Sequence, residues 1–370
     1  MGALGSLAAA VGCAGNAAAV LAPTGHGGGR ATPSAAESGQ AGADAKGPLE
    51  AATPAAPVAQ PTPFDLEIEA AEAALDNGQL APALNHFQQA RLLSPEAPAP
   101  RLGPLRVRWA KLGIPSAYAE APGHEALKQL VNEVDAIVAE FPRFAPAWRE
   151  KGRLLLVLGE APGAQASLEQ ALALDTADAE IHSALGVAYL ATGQPQPALE
   201  RLEAAARLEP DNAERLSNLG TAYMLRGRLS EAIAVYERSL ALEPDDARTH
   251  GDLGAAHLAD DRADRALPHL LRATALAPDR ATFLTNLGYA YQRQGQLEKA
   301  VETQRRAIAI DPKLGSAWIN LGNALADLRR FDAARAALEQ AAALDPDDPR
   351  PKANLKDLAE LEARSPKPAP

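Results

Sequence analysis

Apolar residues recur along this chain in pairs of short helical stripes. Leu216, Leu219 and Tyr223 form one stripe, and Ala232, Val235, Tyr236 and Leu240 form the next. Residues three and four apart share one face of a helix, so each stripe predicts an amphipathic helix. Between them "RGRLS" (226–230) breaks the pattern, with Gly227 placed to end the first helix in a conformation glycine adopts without steric cost. "EPDD" (243–246) ends the second. Its proline lacks an N–H and pushes the preceding residue out of helical geometry. Residues 213–246 thus predict a helix–turn–helix pair.

The pair repeats. "NLGTAYMLRGRLSEA" (218–232), "NLGYAYQRQGQLEKA" (286–300) and "NLGNALADLRRFDAA" (320–334) are three versions of one sentence. Gly152, Gly186, Gly220, Gly254, Gly288 and Gly322 follow each other at steps of 34 residues. So do Ala164, Ala198, Ala232, Ala266, Ala300 and Ala334, and so do Pro210, Pro244, Pro278, Pro312 and Pro346, with Thr176 and Pro142 preceding them in phase. Small residues at fixed phases predict close helix crossings, since anything larger than a methyl group would force the axes beyond about 8–10 Å. Gly220 and Ala232 are expected to face each other at such a crossing, and Ser239, Ala205 and Ala273 to pack against the next unit.

This unit resembles the tetratricopeptide repeat, whose signature runs W-x2-L-G-x2-Y…A-x3-F…P. "LSNLGTAY…AIAVY…P" (216–244) carries it nearly whole, and "WINLGNAL" (318–325) and "WREKGRLL" (148–155) open with the tryptophan. The resemblance covers 145–348 as six copies. Two degenerate copies occupy 63–144: "FDLEIEAAEAALDNGQLAPALNHFQQARLLSP" (64–95), then 98–142 with an insertion around "GIPSAYAEAPG". Residues 349–364 read as a capping helix, followed by a tail at 365–370. The expected fold is all-α, an α-solenoid of antiparallel helix pairs, because one pair cannot bury its apolar face and a stack can. The resemblance implies a right-handed superhelix with the first helix of each pair lining the concave side.

Composition narrows the function. The net charge of −11, from 36 basic and 47 acidic residues, disfavours nucleic acid as a partner. Aromatics are 4% of the chain, so the core must be built of aliphatic residues in closely packed helices. The single cysteine, Cys13, rules out an internal disulfide and any cysteine-based zinc site.

The first 62 residues differ from the rest. Residues 1–22 carry no charge, and 23–62 are rich in Gly, Pro, Ala and Ser, which predicts a disordered tether. The uncharged start has the apolar length of an export signal without its basic front. "AVGC" (10–13) resembles a bacterial lipobox, with Ala10 where leucine is usual, so Cys13 is the candidate lipidation site and possible membrane tether. "MGALGS" also fits an N-myristoylation pattern. Export predicts a periplasmic or outer-membrane-anchored bacterial protein, whereas a plain disordered leader leaves a cytoplasmic one.

Helical spacing places Asn218, Thr221, Asp252, Thr285, Asn286, Tyr289, Arg293, Asn320, Asn323 and Asp327 toward the groove. Ser183, Ala184, Val187 and Ala191 make the equivalent stretch of 179–212 blander. Asn218, Asn286 and Asn320 share one phase, with Asp252 between them. An amide both donates and accepts, so a row of them can clamp an extended backbone, similar to the asparagine ladder of the O-linked N-acetylglucosamine transferase superhelix. The family's basic clamp for a terminal carboxylate is only begun, by Arg149 and Arg153, and then meets Ala184 and Glu214. The unit 247–280 departs most from the pattern, with Gly251, His257 and Pro268, and is expected to be a softer joint.

No catalytic, cofactor or metal motif stands out. Histidines 26, 86, 124, 182, 250, 257 and 269 form no H-E-x-x-H pair. "HGGG" (26–29) lacks an accompanying nucleophile elbow. The sequence therefore predicts a noncatalytic scaffold that binds a protein or peptide in its groove, in assembly of an envelope or secretion complex. The other reading is an accessory, substrate-recruiting subunit of an enzyme such as a glycosyltransferase.

Overall fold

A computed structural model describes residues 60–114 and 118–364. Cys13, the leader, most of the tether and the tail 365–370 lie outside the described residues. Within them the chain is 17 α-helices and no strand. They are α1 (Pro63–Asp76), α2 (Leu80–Leu93), α3 (Ala99–Lys111), α4 (Glu125–Glu140), α5 (Ala145–Val157), α6 (Ala161–Leu174), α7 (Ala179–Ala191), α8 (Pro195–Leu208) and α9 (Ala213–Leu225). There follow α10 (Leu229–Leu242), α11 (Ala247–Ala259), α12 (Ala263–Leu276), α13 (Ala281–Arg293), α14 (Leu297–Ile310), α15 (Gly315–Asp327), α16 (Phe331–Leu344) and α17 (Pro349–Ala363). Each helix packs on the next, so the fold is the predicted all-α solenoid. No described helix is long and apolar enough to cross a membrane.

Local signals set the helix ends. Asp178, Asn212, Asp246 and Asp348 cap α7, α9, α11 and α17 by accepting backbone N–H groups, which the first turn of a helix otherwise leaves unpaired. The turn inside each pair needs one left-handed residue. Gly193, Gly227 and Gly295 supply it at φ +73°, +69° and +73°. Asp261 and Arg329 occupy the same phase at φ +58°, where a side chain is strained.

The glycine phase has a different partner from the one spacing suggested. A Cβ on Gly220 would lie 2.5 Å from the Tyr236 ring, and one on Gly186 2.5 Å from Leu202. The glycine thus receives the large residue sixteen positions on, one turn past the alanine phase. At Gly186 and Gly322 the alanine-phase backbone oxygens of Ala198 and Ala334 come next, at 3.3 Å. Gly251 follows the same logic across units, since a Cβ there would meet Phe283 of α13 at 2.5 Å. The Ser239 hydroxyl donates to the Ala213 carbonyl at 2.8 Å, a bond inside its own unit rather than to the next.

Odd-numbered helices also touch the next odd-numbered helix, from α1 to α17, whereas the even-numbered helices do not pack on one another to that extent. The odd helices therefore crowd the inner side and the even ones splay outward. Between α3 and α4, the insertion folds back on α5. The N–H groups of Ala119 and Ala121 donate to the carbonyls of Leu156 and Val157 at 2.9 and 3.1 Å, satisfying acceptors that the helix end leaves open. Pro268 sits inside α12, which has the same 14 residues as α10 and α14.

Candidate functional site

The inner face has two chemically different halves. In the first, charges alternate across neighbouring odd helices. Arg106 of α3 pairs with Glu72 of α1, and its Nε lies 3.7 Å from Glu150 of α5. Glu150 faces Arg153 at 3.5 Å, Arg153 faces Glu180 of α7 at 2.9 Å, and Glu180 faces Arg215 of α9 at 3.0 Å. Arg215 also reaches Glu209 at 2.9 Å, and Arg149 pairs with Asp178. Burial by itself would raise the Glu180 carboxyl, but the guanidiniums of Arg153 and Arg215 hold it down at about 2. Burial likewise opposes the charge on Arg153, and Glu180 and Glu150 more than restore it.

Arg149 and Arg153, the start of a carboxylate clamp in sequence, are thus engaged within the solenoid. Sequence reasoning missed this ladder. Its signal was present in opposite charges about one repeat apart, as in Arg153 with Glu180 and Glu180 with Arg215.

The second half holds the predicted groove residues, and the structure divides them. Asn218 is wholly buried. Its amide donates to Ser183 at 3.3 Å, and its oxygen accepts from Arg248 at 3.4 Å. Thr285 is also buried, its hydroxyl donating to the Ala281 carbonyl. Neither is presented to a partner, which corrects the expectation for both. Thr221 is half-buried and bonded to the Tyr236 hydroxyl at 3.0 Å. The Asn323 oxygen accepts from Asn354 of α17 at 2.9 Å, and exposed Asp327 accepts from Gln292 at 2.8 Å. Arg293 is exposed, pairs with Asp261 and donates to Tyr289 at 3.2 Å. Asn286 and Asn320 are half-buried, with no side-chain hydrogen bond among the described residues.

Asp252 is half-buried on the same phase. Burial pushes its carboxyl up to about 7, Arg248 one turn earlier pulls it down, and Asp246 adds to the rise. No hydrogen bond holds it, and it forms no ion pair with a described residue.

In α5, α7, α11, α15 and α17 the fourth residue has a structural task. Trp148 and Trp318 donate their indole N–H to the carbonyls of Pro142 and Pro312 at 3.0 and 2.9 Å. His182 and His250 make the same bond through Nε2, to Thr176 at 3.1 Å and Pro244 at 2.9 Å. Lys352 repeats it to Pro346 at 2.7 Å. Any side chain with a donor at that reach serves, which explains why histidine stands where tryptophan is usual. Among the described residues no group of three His, Cys, Asp or Glu side chains is placed to hold a metal ion.

Sequence profiles described as tetratricopeptide repeat match residues 155–219, 189–256, 245–313 and 315–348. A chain of the anaphase-promoting-complex hetero-tetramer Cut9–Hcn1 superimposes with a TM-score of 0.62 at 17% identity, over 80% of this chain and 55% of that one. This chain thus spans about half the length of that structure. PilF of Pseudomonas aeruginosa superimposes at 0.50 with 18% identity, over 58% of this chain and 96% of its own. MamA of Desulfovibrio magneticus RS-1 reaches 0.39 at 28% identity, over 50% and 95%. No curated protein sequence matches the chain. At these identities the first two superpositions establish a shared fold.

Proposed function

Because the chain belongs to the tetratricopeptide repeat family, a class of protein–protein interaction scaffolds, we propose that it binds an extended peptide or protein segment on its inner face, in the half formed by α11, α13 and α15. The observation that carries this reading is the pair of half-buried amides, Asn286 and Asn320. They stand one repeat apart and have no side-chain hydrogen bond within the described fold. An amide can satisfy both a carbonyl and an N–H of a bound backbone. In the first half of the face the described arginines and carboxylates neutralise one another. The uncharged start and Cys13 support export and a role in assembling an envelope or secretion complex. The repeats fill most of the described chain, which supports a noncatalytic role.

The test uses the full chain and its Asn286→Ala, Tyr289→Ala, Arg293→Ala, Asn320→Ala variant as baits in a lysate of the source organism, after circular dichroism shows equal helix content. A protein held by the wild type and lost by the variant supports the groove, and its compartment tests export. Equal capture by both baits overturns the groove reading.

A further inference from the structure

We propose that Asp252 is the specificity point of this groove, and that the bound segment presents a lysine or arginine side chain to it. The inference rests on the groove reading above and adds the partner's chemistry.

The sixth position of each odd helix looks toward the inner side. Asn218 shows this, because its contacts are Ser183 on the preceding odd helix and Arg248 on the following one. Along that phase stand Glu150, Ala184, Asn218, Asp252, Asn286 and Asn320. Glu150 is nearly enclosed and faces two guanidiniums. Asn218 is fully bonded. Asp252 is the carboxylate in this row left without a partner among the described residues.

The nearest cation does not serve it. Arg248 lies one turn before Asp252 on α11, yet its guanidinium goes to the Asn218 oxygen. Beneath Asp252, the buried Tyr236 hydroxyl is bonded to Thr221. Asp178 and Glu180, by contrast, each sit against an arginine. A half-buried carboxylate with neither hydrogen bond nor counter-ion lowers stability. A residue kept at such a cost fits a binding role, where stability is traded for function. What completes it is a cationic donor entering from the groove.

The neighbouring groups suit the rest of such a ligand. Asn286 and Asn320 follow Asp252 at one-repeat intervals and can hold backbone on one side of the basic residue. The net charge of −11 steers a basic segment toward the chain.

The test measures fluorescence anisotropy of the full chain with four pools of labelled decapeptides. Each pool is random except for a fixed central Lys, Arg, norleucine or Glu. The expected result is that Lys and Arg pools bind about fivefold more tightly than norleucine, the scale of one partly solvated ion pair. Asp252→Asn removes that preference, and Asp252→Lys moves the preference to the Glu pool. Asn286→Ala with Asn320→Ala weakens every pool alike. Equal binding of the four pools to the wild type overturns the assignment of Asp252 while the groove stands. Binding of no pool overturns the groove reading itself, and the inference with it.

Discussion

The imidazoles of His250 and His269 meet through their Nδ1 atoms at 3.1 Å. His250 donates from Nε2 to the Pro244 carbonyl, so in its neutral form its Nδ1 is an acceptor and His269 supplies the proton between the rings. The His257 ring stacks on His269 at 5.9 Å, and its buried Nδ1 has no hydrogen-bond partner. Three rings on α11 and α12 are therefore packed together.

Acid is expected to weaken this unit. Burial, then His250 and His257, hold His269 down at about 4, and burial lowers His257 among Glu237, Asp260, Arg262 and Arg265. An unfolded histidine titrates near 6.5. Between about 6.5 and 4 the unfolded chain binds more protons, so the stability from the neutral rings is full above 6.5 and is lost as pH falls toward 4. Urea midpoints at pH 7 and 4.5 should differ more for the wild type than for His269→Asn. The slope corresponds to about 2 kcal/mol after allowing for partial solvation. Parallel profiles for both proteins would refute the account.

Glu180 is shared by Arg153 and Arg215. Glu180→Gln leaves both arginines short of a counter-charge and is expected to cost about 2–4 kcal/mol near pH 7. Because the carboxyl is depressed to about 2, its contribution is present above the ordinary carboxylate range and disappears as pH falls toward 2. A thermal melt series shows this as a variant deficit that shrinks in acid. A double-mutant cycle with Arg215→Ala should give a total smaller than the sum of the single effects.

Gln304 stands at the position that Leu168, Leu202, Leu270 and Leu338 fill in other units, and a Cβ on Gly288 would lie 2.4 Å from its Nε2. Its amide donates to the Thr285 carbonyl, but Oε1 is buried without a partner. Gln304→Leu is expected to raise stability by about 1 kcal/mol by removing that unsatisfied acceptor. Gly288→Ala should destabilise. Chemical denaturation of the two variants decides both signs.

The left-handed turn residues offer a comparison within one molecule. Arg329→Gly is expected to stabilise by about 1 kcal/mol, since glycine carries no steric penalty there. Asp261→Gly should gain less, because aspartate tolerates this conformation and Asp261 also pairs with Arg293. The ranking of melting temperatures tests it.

Pro268 removes a hydrogen-bond donor from the interior of α12. Pro268→Ala is expected to add roughly 1–3 kcal/mol and to slow amide exchange in 247–280 most. Uniform protection across 213–314 in the wild type would sink the idea of a softer joint there.

Helix pairs, their turns and their order were legible from residues because those signals are local. A 3.6-residue period, a glycine at the turn and a proline after the second helix act within a few positions of themselves. Even the packing phases were visible, although the atoms nearest a Cβ on Gly220 belong to Tyr236, one turn past Ala232. The polar inner face was less legible. Asn218, Asn286 and Asn320 read alike in sequence, yet Asn218 is enclosed by Ser183 and Arg248.

The sequence by itself thus determined that this chain is a stack of repeated helix pairs, because one pair's local chemistry recurs every 34 residues. Only the tertiary structure decided which side chains at a shared phase are spent inside the stack and which remain available. Arg153 finds Glu180 and Asn218 finds Arg248 across helices about 30 residues apart. Such pairings depend on three-dimensional approach and side-chain reach, which phase alone does not encode. The same geometry leaves the side chains of Asp252, Asn286 and Asn320 without a hydrogen bond or ion pair among the described residues.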